Sequence, residues 1–466
     1  MESDRNGMGR HGGRAVVIGG SLAGLAAAGA LGKHFDHVTI VERDRFPDEP
    51  AFRAGVPQGR HAHILLTAGQ EALERLFPGF RDDLVIAGAI PVGVPEDVLW
   101  HTAAGWSHRF PATRRLLSCS RHLIDWTVRR RLKAMGNVDV LDGCIVAGLS
   151  STHDRREVTG VRLRDGGTRE LRADLVVDAS GRSSRMPDWL EPLGYGRPAE
   201  TRIDAQLGYA SRVYAIPQGF TGDWKALFLL SQPPTHGRMG LLAPIEGDRW
   251  IASVMGTGGD YPPTDEAGLL EWIHGMRTPV LYEAITEAEP LSPIYGHRGT
   301  DNRRRHYEAM SRWPERLVVV GDAACAFNPV YGQGMSVGAL TAVALDDCLR
   351  PLAGDLSGFA RRFQQVVASC NADAWLAASG EDLRYPTTIG ARPNGTTQFM
   401  HRYMEHVLAV ALVDNEANRV FVDVLNMMAP ARSLLTYQMA VRVAHGPQTQ
   451  PPSGPPTLTE PAAAVA

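Results

Sequence analysis

The sharpest chemical signal in this 466-residue sequence is Gly19-Gly20-Ser21-Leu22-Ala23-Gly24. A glycine-rich turn of this spacing, set between a strand and a helix, lets backbone amides close on a pyrophosphate at the helix N-terminus. Glu42 lies 23 residues beyond Gly19, near the ~20 at which a carboxylate takes up a ribose 2′-hydroxyl, and Arg43 stands beside it. A carboxylate there opposes the 2′-phosphate of NADP, so the pattern selects FAD or NAD at this site. The same residues nearly spell the G-x-S-x-G elbow of a serine hydrolase, with Ser21 as nucleophile. The last position, however, is Ala23, and such an elbow normally follows several earlier strands. No acid–base residue is therefore assigned, and the candidate chemistry belongs to a bound nucleotide.

The elements that must position this turn are legible around it. Arg14 to Ile18 reads as a short buried strand, Ser21 to Leu31 as an Ala/Leu-rich helix, and His37 to Val41 as a second strand, which is a βαβ opening. Ser120 to Met135 reads as a helix with a basic face at Arg129, Arg130 and Arg131. Residues 156–178 read as a hairpin turning at Asp165-Gly166-Gly167, followed by the apolar strand Leu175 to Val177. Runs such as Arg249 to Val254, separated by Pro/Gly turns, predict a separate β-sheet within 205–260. Arg316 to Val320 then predicts a return to the first domain, followed by a Gly-rich turn and a helix over Gly334 to Leu349.

The predicted class is α/β. A discontinuous Rossmann-like domain (14–90, 115–195 and 300–354) carries a second, β-sheet domain for substrate (91–114 and 196–299). A helical region (355–445) and a disordered, proline-rich tail (446–466) complete the chain.

The second signal is Gly321-Asp322-Ala323-Ala324, continuing through Phe327-Asn328-Pro329 to Gly332-Gln333-Gly334-Met335, some 300 residues after the first. It resembles the G-D motif of FAD-dependent monooxygenases of the aromatic-hydroxylase and squalene-epoxidase type. The resemblance implies that Asp322 meets the FAD ribityl chain and that Pro329 and Gly332 to Met335 approach the flavin ring. It also places Gly19, Gly20, Ser21, Gly24, Glu42, Arg43, Arg53, Arg121 and Gly321 on the cofactor. Leu175 to Arg185 resembles the family's D-G motif, with Ser180 where the family has aspartate.

More narrowly, Arg53 to His63, Gly105-Trp106 to Phe110-Pro111 and Asn302 to Tyr307 resemble bacterial flavin epoxidases of polyether biosynthesis. That resemblance implies NAD(P)H as co-substrate, a flavin hydroperoxide as oxidant, and an apolar polyene or polyketide substrate, free or carrier-bound. Similar sequences also include flavin-binding cyclases of polyketide pathways that perform no net redox chemistry, and aromatic hydroxylases. For the substrate cavity the stretch Leu207 to Met255 offers Tyr209, Tyr214, Phe228, Leu230 and Met239.

Composition narrows the partners. A net charge of −3 gives no basic field for nucleic acid. Five cysteines without a C-x-x-C pair argue against a disulfide framework or zinc cluster and for a reducing, cytoplasmic compartment. His61 and His63 lack accompanying ligands at metal spacing, so no metal is predicted. The polar N-terminus shows no export signal, and the longest apolar run, Val407 to Val413, is far below the ~20 residues of a membrane span.

Overall fold

The computed structural model describes residues 12–112, 114–164 and 168–458. The N-terminus to residue 11, the hairpin turn at 165–167 and the tail beyond Leu458 lie outside the described residues.

The first domain is built on a five-stranded parallel sheet in the order Leu317–Val319, Leu175–Asp178, Arg14–Ile18, His37–Val41, Val138–Leu141. Apart from the partly exposed edge strand Val138–Leu141, its strands are predominantly apolar and buried because both faces are covered, as a parallel sheet requires. Helix Leu22–Leu31 is buried all round, which explains an Ala/Leu/Gly composition with no polar stripe. A Cβ on Gly29 would overlap the Phe77 ring, so glycine sets how closely the neighbouring segment packs. Helix Arg121–Ala134 covers the same sheet region, capped by Ser120 Oγ accepting from Leu123 N at 3.2 Å. Strands Val158–Arg164 and Thr168–Arg172 pair antiparallel.

The second sheet has seven strands, in the order Tyr295–Arg298, Gly208–Ala215, Arg249–Gly256, Met239–Ile245, Ala226–Leu229, Val98–Thr102, Gly105–Trp106. The period-2 alternation of side chains gives it two apolar faces. Leu227, Leu242, Trp250 and Val254 pack under helices Glu266–His274 and Val280–Thr286. Phe228, Leu241, Ile251 and Met255 face the other way, toward Ala62 and Ile64 of the first domain. Strand Glu200–Ile203 pairs with Asn302–Arg305, which in turn pairs with Cys325–Ala326, so the junction between the sheets runs into the Gly321 segment.

The C-terminal region is helical over Phe359–Asp382, Gly395–Ala411, Asn415–Leu425 and Tyr437–His445. It is broken over 383–394 and at Met427, whose φ is +58°. Up to Leu458 the proline-rich tail lies back on the sheet domain, where the buried Arg109 guanidinium, paired with Asp223 Oδ1 at 2.7 Å, takes a further acceptor. Arg109 donates to Glu96 O, Asp223 O and, at 3.2 Å, Pro456 O, while Leu458 N donates to Asp223 Oδ2. Among the described residues no helix is long and apolar enough to cross a membrane, and no cluster of three potential metal ligands occurs.

Candidate cofactor and substrate site

The first turn is shaped by contacts only glycine allows. Gly19 has φ +98°, and a Cβ on Gly24 would overlap the Gly19 carbonyl oxygen, so the helix starts directly on the strand end. No side chain caps helix Leu22–Leu31, which leaves the amides of its first turn for a ligand. Glu42 is buried; its Oε2 accepts from Gly20 N at 2.7 Å and its Oε1 from Asp44 N at 3.0 Å. Arg53 donates to Gly20 O at 2.7 Å and lies 3.2 Å from Glu42 Oε2. Here Glu42 and Arg53 brace the turn itself, a role the spacing rule does not reveal. Arg43 is exposed.

Arg121 joins the turn from the next helix, donating from Nη2 to Ser21 Oγ at 2.9 Å and from Nε to Asp125 at 2.9 Å. Its charge also reaches the second motif. Asp322 has its carboxyl raised by burial, an effect opposed by the cations of Arg182, Arg121 and Arg303. The two motifs, far apart in sequence, are in contact: a Cβ on Gly321 would come 2.8 Å from that of Ala23, and one on Gly338 within 3.1 Å. Two short 3₁₀ turns, Gly321–Ala323 and Pro329–Tyr331, lead to Gly332 at φ +66° and helix Gly334–Leu349. Ile64 lies beside Gly332, and Gln333 Oε1 is buried without a hydrogen-bond partner. Met335 packs against the first-domain core, and Pro329 is exposed.

The D-G-like segment is closed on itself. Asp178 is fully buried and its carboxyl is raised by that burial. It accepts from Ser180 N at 2.9 Å, Ser180 Oγ at 2.6 Å and Ser184 Oγ at 2.6 Å. Ser180 therefore serves as an internal turn residue.

On the second sheet, Phe228 and Leu230 share an apolar cluster with Trp100 and Phe421, whose rings stack at 5.9 Å. Tyr209 and Met239 pack with Met255 and Val330, the last a residue of the Pro329 turn. These four candidates lie on the face toward the first domain. Tyr214 does not. It has the opposite parity on strand Gly208–Ala215 and is packed with Trp250 and Trp272 beneath the helices, which removes it from the candidate substrate residues.

Residues not singled out beforehand complete this face: Ile64, Trp100, Leu241, Met255, Val330 and Phe421. The alternation within Met239–Ile245 and Arg249–Gly256 carried a signal for Leu241 and Met255. Phe421, from a distant helix, left none. His61 pins the connecting loop to the sheet: its Nδ1 lies 2.8 Å from Ser211 Oγ, and its ring packs edge-on to Tyr209. Burial, with His297 nearby, lowers its pKa to about 3, and His63 is lowered to about 4, also by burial. Both imidazoles are therefore neutral at neutral pH.

The glycine cradle, the uncapped helix start and the unpartnered Gln333 Oε1 fit an extended dinucleotide crossing from the first motif to the second. The fold is that of the aromatic-hydroxylase-type FAD monooxygenases. The chain belongs to the FAD binding domain family, whose model matches residues 14–358, and FAD is its cofactor. It is 32% identical over 383 residues to Protein Rv3254 of Mycobacterium tuberculosis, covering 80% of each chain. It is 28% identical over 346 residues to kynurenine 3-monooxygenase of Salinispora tropica, covering 72% of each. Among solved structures, the flavin-dependent brominase Bmp2 superposes with a TM-score of 0.64 at 14% identity, covering 93% of this chain and 98% of that one, a likeness of fold alone.

Proposed function

We propose that this protein is an FAD-dependent monooxygenase that epoxidises an alkene of an apolar polyketide or polyene, with NAD(P)H and O₂ as co-substrates, in the reducing cytoplasm. The observation that carries this reading is the run of apolar side chains Phe228, Leu230, Met239, Leu241 and Met255 on one sheet face, of which Met239 and Met255 meet Val330 of the cofactor turn and Leu241 packs with Ile64, the neighbour of Gly332. When bound, FAD supplies the oxygen-activating chemistry. The chain's own work is to hold the substrate and exclude water. The apolar face binds a hydrocarbon without leaving a charge unpaired, while Ile64 and Val330 close the space between sheet and cofactor loop. No ionisable side chain on that face is required to move a proton. The kynurenine 3-monooxygenase relatives favour a second reading, hydroxylation of an aromatic ring.

Parallel incubations with a linear polyene and with an aromatic substrate, each with NADPH and isotope-labelled O₂, separate the alternatives by mass. An epoxide bearing one labelled atom supports the proposal, and a labelled phenol supports the second reading. A cyclised product of unchanged formula overturns both in favour of a non-redox cyclase.

Phe228→Ala tests the face itself. Removing a large apolar side chain that touches substrate equally in ground and transition states raises KM about tenfold at unchanged kcat, as steady-state kinetics will show. An unchanged KM would remove this face from the substrate site.

A further inference from the structure

The strongest unexplained group near the cofactor loop is a buried acid from the helical region. Asp382, on the last turn of helix Phe359–Asp382, accepts from Asn302 Nδ2 at 2.6 Å, from Asn328 Nδ2 at 3.0 Å and from Tyr331 Oη at 2.8 Å. Asn328 and Tyr331 belong to the turn that carries Pro329 and leads into Gly332. The orientation of both amides is fixed independently. Asn302 Oδ1 accepts from Asn328 N at 2.7 Å, and Asn328 Oδ1 accepts from Val330 N at 3.2 Å. Each asparagine thus has only its NH₂ left to offer, and an acceptor-only carboxylate is the partner that satisfies both.

We propose that Asp382 is a positioning residue for the flavin: as a carboxylate it holds the Asn328–Tyr331 turn in the shape that presents Pro329 and Gly332 to the ring. This rests on the reading that the turn faces the flavin. It makes the C-terminal helical region part of the cofactor site rather than an appendage, because the acid lies beyond the family-matched segment, which ends at residue 358.

The arrangement responds to pH. Burial raises the Asp382 carboxyl to about 6; hydrogen bonds from Tyr331, Asn328 and Asn302 oppose the rise, and Glu381 adds to it. The titratable groups around it are Tyr331 on the cofactor turn, Glu381 on its own helix, and Tyr385, which couples to both Tyr331 and Glu381. Asn302 and Asn328, from the other packed elements, are neutral. Arg384 is engaged by Glu381 at 3.5 Å and by Glu405 of the next helix at 2.5 Å. His401 of that helix contacts Gly380 O at 2.8 Å. On protonation, charge-assisted bonds become neutral ones and the Tyr331 contact must reverse its direction.

The test is FAD binding to apoprotein across that pH range, read by dissociation constant and by the visible flavin spectrum. In the wild type, affinity falls about fivefold as pH drops through about 6. Tyr331→Phe, which removes one donor to the carboxylate, moves the midpoint upward. Asp382→Asn can keep its oxygen toward the Asn302 and Asn328 amides only by turning its NH₂ toward Tyr331 Oη, which must then accept; it copies the protonated acid, so it weakens FAD about fivefold, alters the flavin spectrum and abolishes the pH step.

A purely structural acid would instead lower the melting temperatures of apo- and holoprotein equally, with affinity, spectrum and pH profile unmoved, and that result overturns the proposal. If Asp382→Asn does not fold, a pH step with the same midpoint in wild type and Tyr331→Phe is equally fatal. A wild type that binds no FAD contradicts the cofactor assignment instead, so the two failures are distinguishable.

Discussion

Gly24→Ala purifies without FAD. The added Cβ overlaps the backbone carbonyl oxygen of Gly19, which cannot rotate aside as a side chain would, and it also approaches the Ala179 Cβ at 3.4 Å. Either the helix slides away from the strand end or the turn opens, and both displace the amides meant for the pyrophosphate. Such overpacking costs about 3 kcal/mol, roughly a hundredfold in FAD affinity. Gly380→Ala is the control. It lies within helix Phe359–Asp382 with open space where the Cβ would go, so alanine there is neutral or stabilising by up to about 1 kcal/mol. Full flavin occupancy in the Gly24 variant would show that this turn is not the cradle.

Glu42→Ala has the second largest expected effect, and more of it falls on stability than the ribose role alone implies. The carboxylate accepts from Gly20 N and Asp44 N and lies 3.2 Å from Arg53, whose side chain is 7% exposed. Truncation leaves a buried guanidinium with the Gly20 carbonyl at 2.7 Å, the Phe46 ring face at 4.9 Å and its nearest carboxylate, Asp44, at 3.9 Å, a loss of about 3 kcal/mol. Denaturant unfolding of the apoprotein measures it. The double variant Glu42→Ala/Arg53→Ala recovers part of the loss, because the uncompensated charge is gone and the two changes are not additive. A single-variant cost below about 1 kcal/mol would contradict the bracing role.

Much of the first domain was legible because each of its signals is local. The strands at Arg14–Ile18 and His37–Val41 are apolar runs between turn residues, and the glycine turn imposes its own geometry. The partition of the second sheet was harder. Strand Gly208–Ala215 is rich in apolar residues on both faces, so residue type alone offers both Tyr209 and Tyr214 for one cavity, although their odd spacing puts them on opposite faces. Arg53 was assigned to cofactor on resemblance, and its contacts to Glu42 and Gly20 O depend on a loop that no periodicity describes. Asp382 gave no signal at all. The second acid of a Glu-Asp pair at the end of a long helix looks like solvated surface until the fold brings Asn302, Asn328 and Tyr331 around it. The contact of Pro456 with Arg109 left no signal for a similar reason, since the carbonyl it supplies is a backbone group that composition does not encode.

The proposed function is one redox cycle: flavin reduced by a nicotinamide nucleotide and reoxidised by O₂ with oxygen transferred to an apolar substrate. Its most direct test is anaerobic mixing of the purified holoprotein with NADH or NADPH in the presence of candidate polyenes and aromatics, following the visible flavin band. Bleaching by at least one nucleotide, with full recolouring on admission of O₂ and appearance of oxygenated product, is the predicted result. A flavin that stays oxidised with both nucleotides and every candidate, while the protein still converts a polyene to an isomer, would contradict the monooxygenase assignment.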